Sequence, residues 1–278
     1  MAALLLMAVS LIACARGETK ALEGTLPAID NPPGILHIHG LGVNPADHSL
    51  YAATHGGLYR IDEGRASIVA NRYQDTMAFT IIGKDHFIAS GHPDLREDLP
   101  ALLGLLESHD AGKTWTTRSL LGRADFHALR YAHGRTWGYD STSGSLTVSS
   151  DRKEWSTRSS LVLRDFVVSP DSAEVLLATN AEALMRSADG GRSWKTTDSP
   201  EAPMLLWWTV PNELWLIDAE GAVHRSDDAG ENWEHRGDLP GRPEALTIDG
   251  ELLYAATHNA IFASDDEGET WKPIYNED

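Results

Sequence analysis

The chain has a single cysteine, Cys14, among 278 residues. This excludes an intramolecular disulfide and any cysteine-built zinc site. Positive charge is scarce: Lys and Arg total 23 against 41 Asp and Glu, a net charge of −18. That balance argues against nucleic acid and against anionic membrane surfaces as partners. The apolar run at the start is shorter than the roughly 20 residues a bilayer span requires. No glycine-rich phosphate loop and no serine-centred nucleophile elbow occurs. What the chain does have in quantity is 24 Gly, 13 Pro and 9 Trp, which suit an all-β chain of short strands and tight turns.

Met1 to Ala13 carry no charge and are mostly Leu, Ala, Met, Val and Ile, as in the apolar core of a secretory signal. The run ends in Leu11-Ile12-Ala13-Cys14. This tetrad resembles the bacterial lipobox, although no Lys or Arg precedes the run. The resemblance implies a signal peptide over 1–13, lipidation of Cys14, and an exported protein held in the cell envelope through its lipid alone. Residues 14–33 then read as a polar tether, and 34–278 as the folded domain.

The domain is organised by an eight-residue unit, Ser-x-Asp-x-Gly-x-x-Trp. It begins at Ser108, Ser187, Ser226 and Ser264, with a degenerate copy from Ser149 in which Lys153 stands where glycine belongs. Its aspartates are Asp110, Asp151, Asp189, Asp228 and Asp266, spaced by 41, 38, 39 and 38 residues. A period near 40 residues carrying only short strands is that of a β-propeller blade. Each Asp is expected to bond backbone N–H groups two residues on, the Gly to supply a positive φ, and the Trp to anchor the next strand. On that reading Trp115, Trp194, Trp233 and Trp271 are buried anchors and the aspartates are structural.

The unit resembles the Asp-box, or bacterial neuraminidase repeat, of sialidases and sortilin-type propellers. His37 to Leu41 and Gly91 to Pro93 further resemble shared features of short bacterial Asp-box lipoproteins called glycosylhydrolases by similarity. The implied fold is an all-β, six-bladed β-propeller with four strands per blade, in a chain expected to be monomeric. Blade one starts near Ile35, and the others near Thr76, Asp125, Asp165, Met204 and Glu244. LYAATHGGLYRIDEG from Leu50 matches LYAATHNAIFASDDEG from Leu253, which pairs the first blade with the last. The segment Thr25 to Ile29 is a candidate partner for the last blade at ring closure.

Strand alternation gathers one set of loops on one face of such a ring. That face receives His37, His39, His55, His92, His127 and His258, with Asp75, Asp94, Asp125, Asp140, Asp165 and Glu244 among them. Imidazoles with supporting carboxylates suit a first-row transition metal, so the six histidines form a candidate site for Cu or Zn. His55 and His258 occupy matching positions of adjoining blades and are expected to be its core. A second reading, glycoside hydrolysis, comes from the sialidase resemblance, with Asp125, Tyr139 and Glu244 as candidate catalytic residues. For a small ligand at the same mouth, His92, Asp94, Arg96, Asp140 and Asp165 are candidate ligand-binding residues. The sialidase Arg-Ile-Pro motif is absent, and only Arg96, Arg123 and Arg164 are placed to bind a carboxylate. A third reading is a scaffold that binds a protein partner. The partner is thus a small molecule, a glycan, a metal ion or a protein. The long loop from Gly91 to Leu102 breaks the blade pattern and is a candidate cover for the site.

Overall fold

The structure is a computed structural model that describes residues 21–22, 26–30, 33–258 and 260–277. Residues 1–13, read as a signal peptide, and Cys14 lie outside the described residues. Six antiparallel blades form a ring, with no helix among the described residues: a six-bladed β-propeller. Blade one consists of Ile38–Val43, Leu50–Thr54, Gly57–Asp62 and Arg65–Ile68. The inner strands of the other five blades are Asp75–Gly83, Phe126–Ala132, Asp165–Val168, Pro203–Val210 and Pro243–Asp249. Second strands such as Leu50–Thr54 are buried throughout, because neighbouring blades cover both of their faces.

Each blade takes its four strands from one continuous stretch, so no strand is exchanged to close the ring. Closure is instead apolar. Ile35, Ile38 and Leu41 pack with Ala245, Ala256 and Ile261, and the Glu244 carboxylate accepts the Ile38 N–H at 2.7 Å.

The segment read as a tether docks elsewhere than expected. Ala21–Leu22 pairs with Trp115–Thr116, adding a fifth strand to blade two. Leu26 to Ile29 forms no strand, and Thr25 lies outside the described residues. The reason is an open sheet edge with unpaired backbone groups, beside three donors that suit the segment's carbonyls. Arg72 donates to the Leu22 carbonyl at 3.0 Å, Asn71 to that of Leu26 at 3.1 Å, and Arg96 to that of Pro27. The Leu22 side chain, 3% exposed, enters the same core as Trp115.

The repeat hairpins differ in chemistry from the expectation. In the four complete copies the carboxylate reaches the N–H four residues on, not two. Thr114, Ser193, Asn232 and Thr270 donate to Asp110, Asp189, Asp228 and Asp266 at 2.8–2.9 Å. The serine hydroxyl accepts the glycine N–H, as in Gly191 to Ser187 at 2.9 Å. Only the degenerate copy bonds two on, Lys153 to Asp151 at 2.9 Å. Each glycine is left-handed, and it also lies against the preceding blade. A Cβ on Gly112 would stand 2.5 Å from Leu58 Cδ2, and one on Gly191 2.6 Å from Leu146 Cδ2. The anchors are unequal too. Trp115 is 2% exposed, whereas Trp194, Trp233 and Trp271 are only partly buried, with Trp194 donating to Ser159 Oγ at 3.0 Å.

Candidate functional site

The inner strands surround a central cavity of about 660 Å³ that opens between the expected loops. Five of the six inner strands carry a β-bulge at the same level. The register slips between Ile38 and Gly40, Thr76 and Ala78, Phe126 and Ala128, Pro203 and Leu205, and Pro243 and Ala245. A bulge re-aims the extra side chain. The extra residues are His39, Met77, His127, Met204 and Glu244, and all five line the cavity. Strand alternation alone does not place them there, and nothing in the local sequence marks the bulges.

Three histidines meet at the cavity mouth. Ring centroids lie 4.6 Å apart for His37 and His39, 4.5 Å for His39 and His55, and 5.4 Å for His37 and His55. Asp75, at the start of the second inner strand, faces two of them. Its Oδ2 is 2.9 Å from His55 Nδ1 and its Oδ1 is 3.6 Å from His39 Nε2. Both Asp75 Oδ1 and His39 Nε2 are buried without a hydrogen-bond partner. The ligand atoms of His39, His55 and Asp75 all lie within 4.8 Å of one another. Burial, joined by the charges of His37, His55 and His127, lowers the His39 pKa to about 3. Its ring is therefore neutral, with a lone pair on one nitrogen.

The other expected residues are distributed differently. His37 Nδ1 lies 2.6 Å from Glu244 Oε1. His258, 73% exposed in its side chain, lies 3.6 Å from the same oxygen. His258 thus faces Glu244, and the ligand atoms that converge with those of His55 are those of His39 and Asp75. His127 Nε2 is 2.9 Å from Asp125 Oδ2, and His92 Nε2 is 3.8 Å from that atom. His92 Nδ1 lies 2.8 Å from the Ala101 carbonyl. Burial pushes the Asp125 carboxyl up, but the His127 bond, the His127 and His92 charges and the Ser141 hydroxyl outweigh it and hold it below the usual range.

Several candidate ligand-binding residues have their hydrogen-bonding capacity used by the protein. Asp140 accepts from the Asp125 N–H, from Thr142 and from Ser143. Asp165 accepts from Arg130 and from the Phe166 and Leu206 N–H groups. Tyr139 is buried in the core between blades three and four. Asp94 accepts the Tyr73 N–H at 2.8 Å and is paired with Arg96, which also donates to the Asn71 carbonyl at 2.8 Å. The loop from Gly91 to Leu102 therefore clasps the first two blades and the docked N-terminal segment together.

Burial pushes Asp94 up, but the Arg96 side chain and the Arg96 and Tyr73 N–H groups outweigh it and hold its pKa at about 2. A depressed carboxyl adds stability above its unfolded value, about 3.9, and loses it as pH falls through the folded one. Asp94→Asn is expected to cost about 2 kcal/mol at pH 7. The gap to the parent should close between about pH 4 and pH 2 in urea unfolding. A gap independent of pH would mean that the ion pair is not what holds the clasp.

A second convergence sits on the opposite face, where His86, Glu107 and His109 come together. Glu107 Oε1 is 2.8 Å from His86 Nε2, and its two oxygens face Arg152 and Arg118 at 3.2 and 3.1 Å. Two guanidinium groups beside the carboxylate repel a cation, so this cluster is an ionic joint between blades two and three.

No protein-family model matches the chain, and no curated protein matches it. Among solved structures it is similar to a propeller of the nidogen/laminin complex at 16% identity, covering 82% of this chain and 93% of that one, with a TM-score of 0.64. A gluconolactonase from Xanthomonas campestris aligns at 14% identity over 82% of this chain and 86% of that one, with a TM-score of 0.64. A GH74 xyloglucanase from Xanthomonas campestris aligns at 17% identity, covering 92% of this chain and 47% of that one, with a TM-score of 0.58. These likenesses define the class, a six-bladed β-propeller, whose members range from enzymes to protein-binding domains. At such identities they establish the fold alone.

Proposed function

We propose that this propeller binds a divalent first-row transition metal ion, Zn(II) or Cu(II), through His39, His55 and Asp75 at the mouth of its central cavity. The observation that carries this reading is the pair of buried, unpartnered atoms, His39 Nε2 and Asp75 Oδ1, 3.6 Å apart. That separation is too long for a hydrogen bond. It suits two ligands of one ion, since bonds of about 2.0–2.2 Å at a tetrahedral angle put ligand atoms roughly 3.4 Å apart. Two imidazoles and one carboxylate leave further coordination positions open toward the cavity. His37, tied to Glu244, packs against both rings and fixes their orientation. The glycosidase reading has less support, because Asp125 and Glu244 are paired with histidines and Tyr139, where it meets the cavity wall, is buried against the core.

The apolar start and Leu11-Ile12-Ala13-Cys14 support an exported, lipid-anchored location, where a protein meets metal ions supplied from outside the cell. Titration of the metal-free protein with Zn(II) is expected to show one saturable site. His55→Ala and Asp75→Asn should each weaken it about 100-fold, while His258→Ala leaves it unchanged. Zn(II) binding that is absent, or indifferent to His55 and Asp75, would reduce the mouth to a plain polar pocket.

A further inference from the structure

The bulge ring carries its own chemistry. Its five side chains, read around the axis, are His39, Met77, His127, Met204 and Glu244. A bulge only re-aims whatever residue it holds, and here every one of them bears a metal-ligand atom. Of the five methionines in the chain, Met77, Met185 and Met204 fall within the propeller. Met185 packs in the core, which is the ordinary use of this residue. Met77 and Met204 line the cavity instead and are only partly buried.

Met77 belongs to blade two, so it stands between His39 of blade one and His127 of blade three. The first two inner strands approach closely just below this level. A Cβ on Gly40 would lie 3.4 Å from the Phe79 Cβ, which brings the preceding bulges side by side. His39 and His127, at the bulges of the blades on either side of Met77, line the same cavity as it does. A thioether between two imidazoles is a soft ligand set, and thioethers select Cu(I) over Zn(II) and other hard divalent ions.

We infer that the cavity holds a second, soft metal position, a Cu(I) site formed by His39, Met77 and His127. It borrows His39 from the proposed Zn(II)/Cu(II) triad and so rests on that reading in part. The two positions nevertheless differ in every other ligand. One is a harder pair of His55 and Asp75, the other a softer pair of Met77 and His127. With His39 shared, the same mouth would accept copper in either oxidation state.

The test uses the purified protein, with Cu(I) kept reduced by ascorbate under anaerobic conditions and presented as its bicinchoninate complex. Met77→Leu, close to volume-conserving, is expected to weaken Cu(I) binding at least tenfold and to leave Zn(II) binding within about twofold. His127→Gln should behave in the same way. Asp75→Asn and His55→Ala should do the reverse, weakening Zn(II) and sparing Cu(I). Met204→Leu, whose blade is separated from Met77 by blades three and four, is the control for removing a thioether from the cavity wall. Failure to take Cu(I) from bicinchoninate would overturn the site, as would Cu(I) binding indifferent to Met77 and His127. In either case Zn(II) binding at the triad would stand or fall by its own variants. Thermal unfolding of each variant separates loss of a ligand from loss of the fold.

Discussion

Trp115→Ala is expected to be among the most damaging single substitutions in the chain, costing about 3–5 kcal/mol. The ring is 2% exposed and packs with Leu22, Phe87, Leu103 and Leu106. Its edge lies 3.5 Å from where a Cβ on Gly112 would stand, so it fills the space beneath its own hairpin. Removing it opens a cavity at the joint where blade two meets the docked Leu22. For a domain of this size the melting temperature should fall by about 10 °C, at roughly 2–4 °C per kcal/mol. Trp194→Ala should cost less, about 1–2 kcal/mol, since that ring is only partly buried and loses one hydrogen bond to Ser159. Equal losses at the two positions in thermal unfolding would contradict the burial difference.

Glu107→Ala is expected to cost about 2–4 kcal/mol. Its carboxylate is 5% exposed and balances Arg118 of its own blade against Arg152 of the next. Without it two guanidinium groups and His86 share a joint with no anion. The part-exposed arginines moderate the penalty below that of a fully buried pair. Burial pushes the Glu107 carboxyl up, but the His86 bond and the Arg152 and Arg118 charges outweigh it and keep it ionised to lower pH than usual. The contribution is therefore complete above about pH 4.3, the ordinary glutamate value, and declines as pH falls through the lower folded one. Pairing Glu107→Leu with Arg152→Leu should recover part of the loss, which chemical denaturation of the single and double variants would measure. A strictly additive double variant would show that Glu107 and Arg152 do not interact.

The joint also accounts for the one irregular repeat. Arg152 takes a left-handed conformation, φ 60°, where the complete copies have Ala, Gly or Glu. From there it reaches back to Glu107. The hairpin that lacks the repeat's glycine contact is held to its neighbour by charge instead.

The number of blades, their strand order and the face that receives the histidines were legible in the sequence. They depend on a repeated hairpin and on strict strand alternation, both local and periodic. The composition of the mouth was legible only as a set. The spacing puts six histidines and several carboxylates on one face, but does not single out His39 and Asp75 as the residues whose ligand atoms converge with those of His55. Asp94, Arg96, Asp140 and Asp165 read as ligand residues because their loops reach that face. In the structure their atoms are engaged by backbone groups, hydroxyls, the Arg130 side chain and each other.

By itself the sequence determined the period, and with it a ring of six sheets, because a short-range turn code repeats wherever its eight residues recur. The tertiary structure alone decided which side chains meet. Five bulges turn His39, Met77, His127, Met204 and Glu244 toward one axis. The seam between the last blade and the first puts Glu244 between His37 and His258. An open edge on blade two captures Ala21–Leu22. Each of these depends on backbone register and on contacts between residues far apart in the chain, and neither is written in the spacing of a repeat.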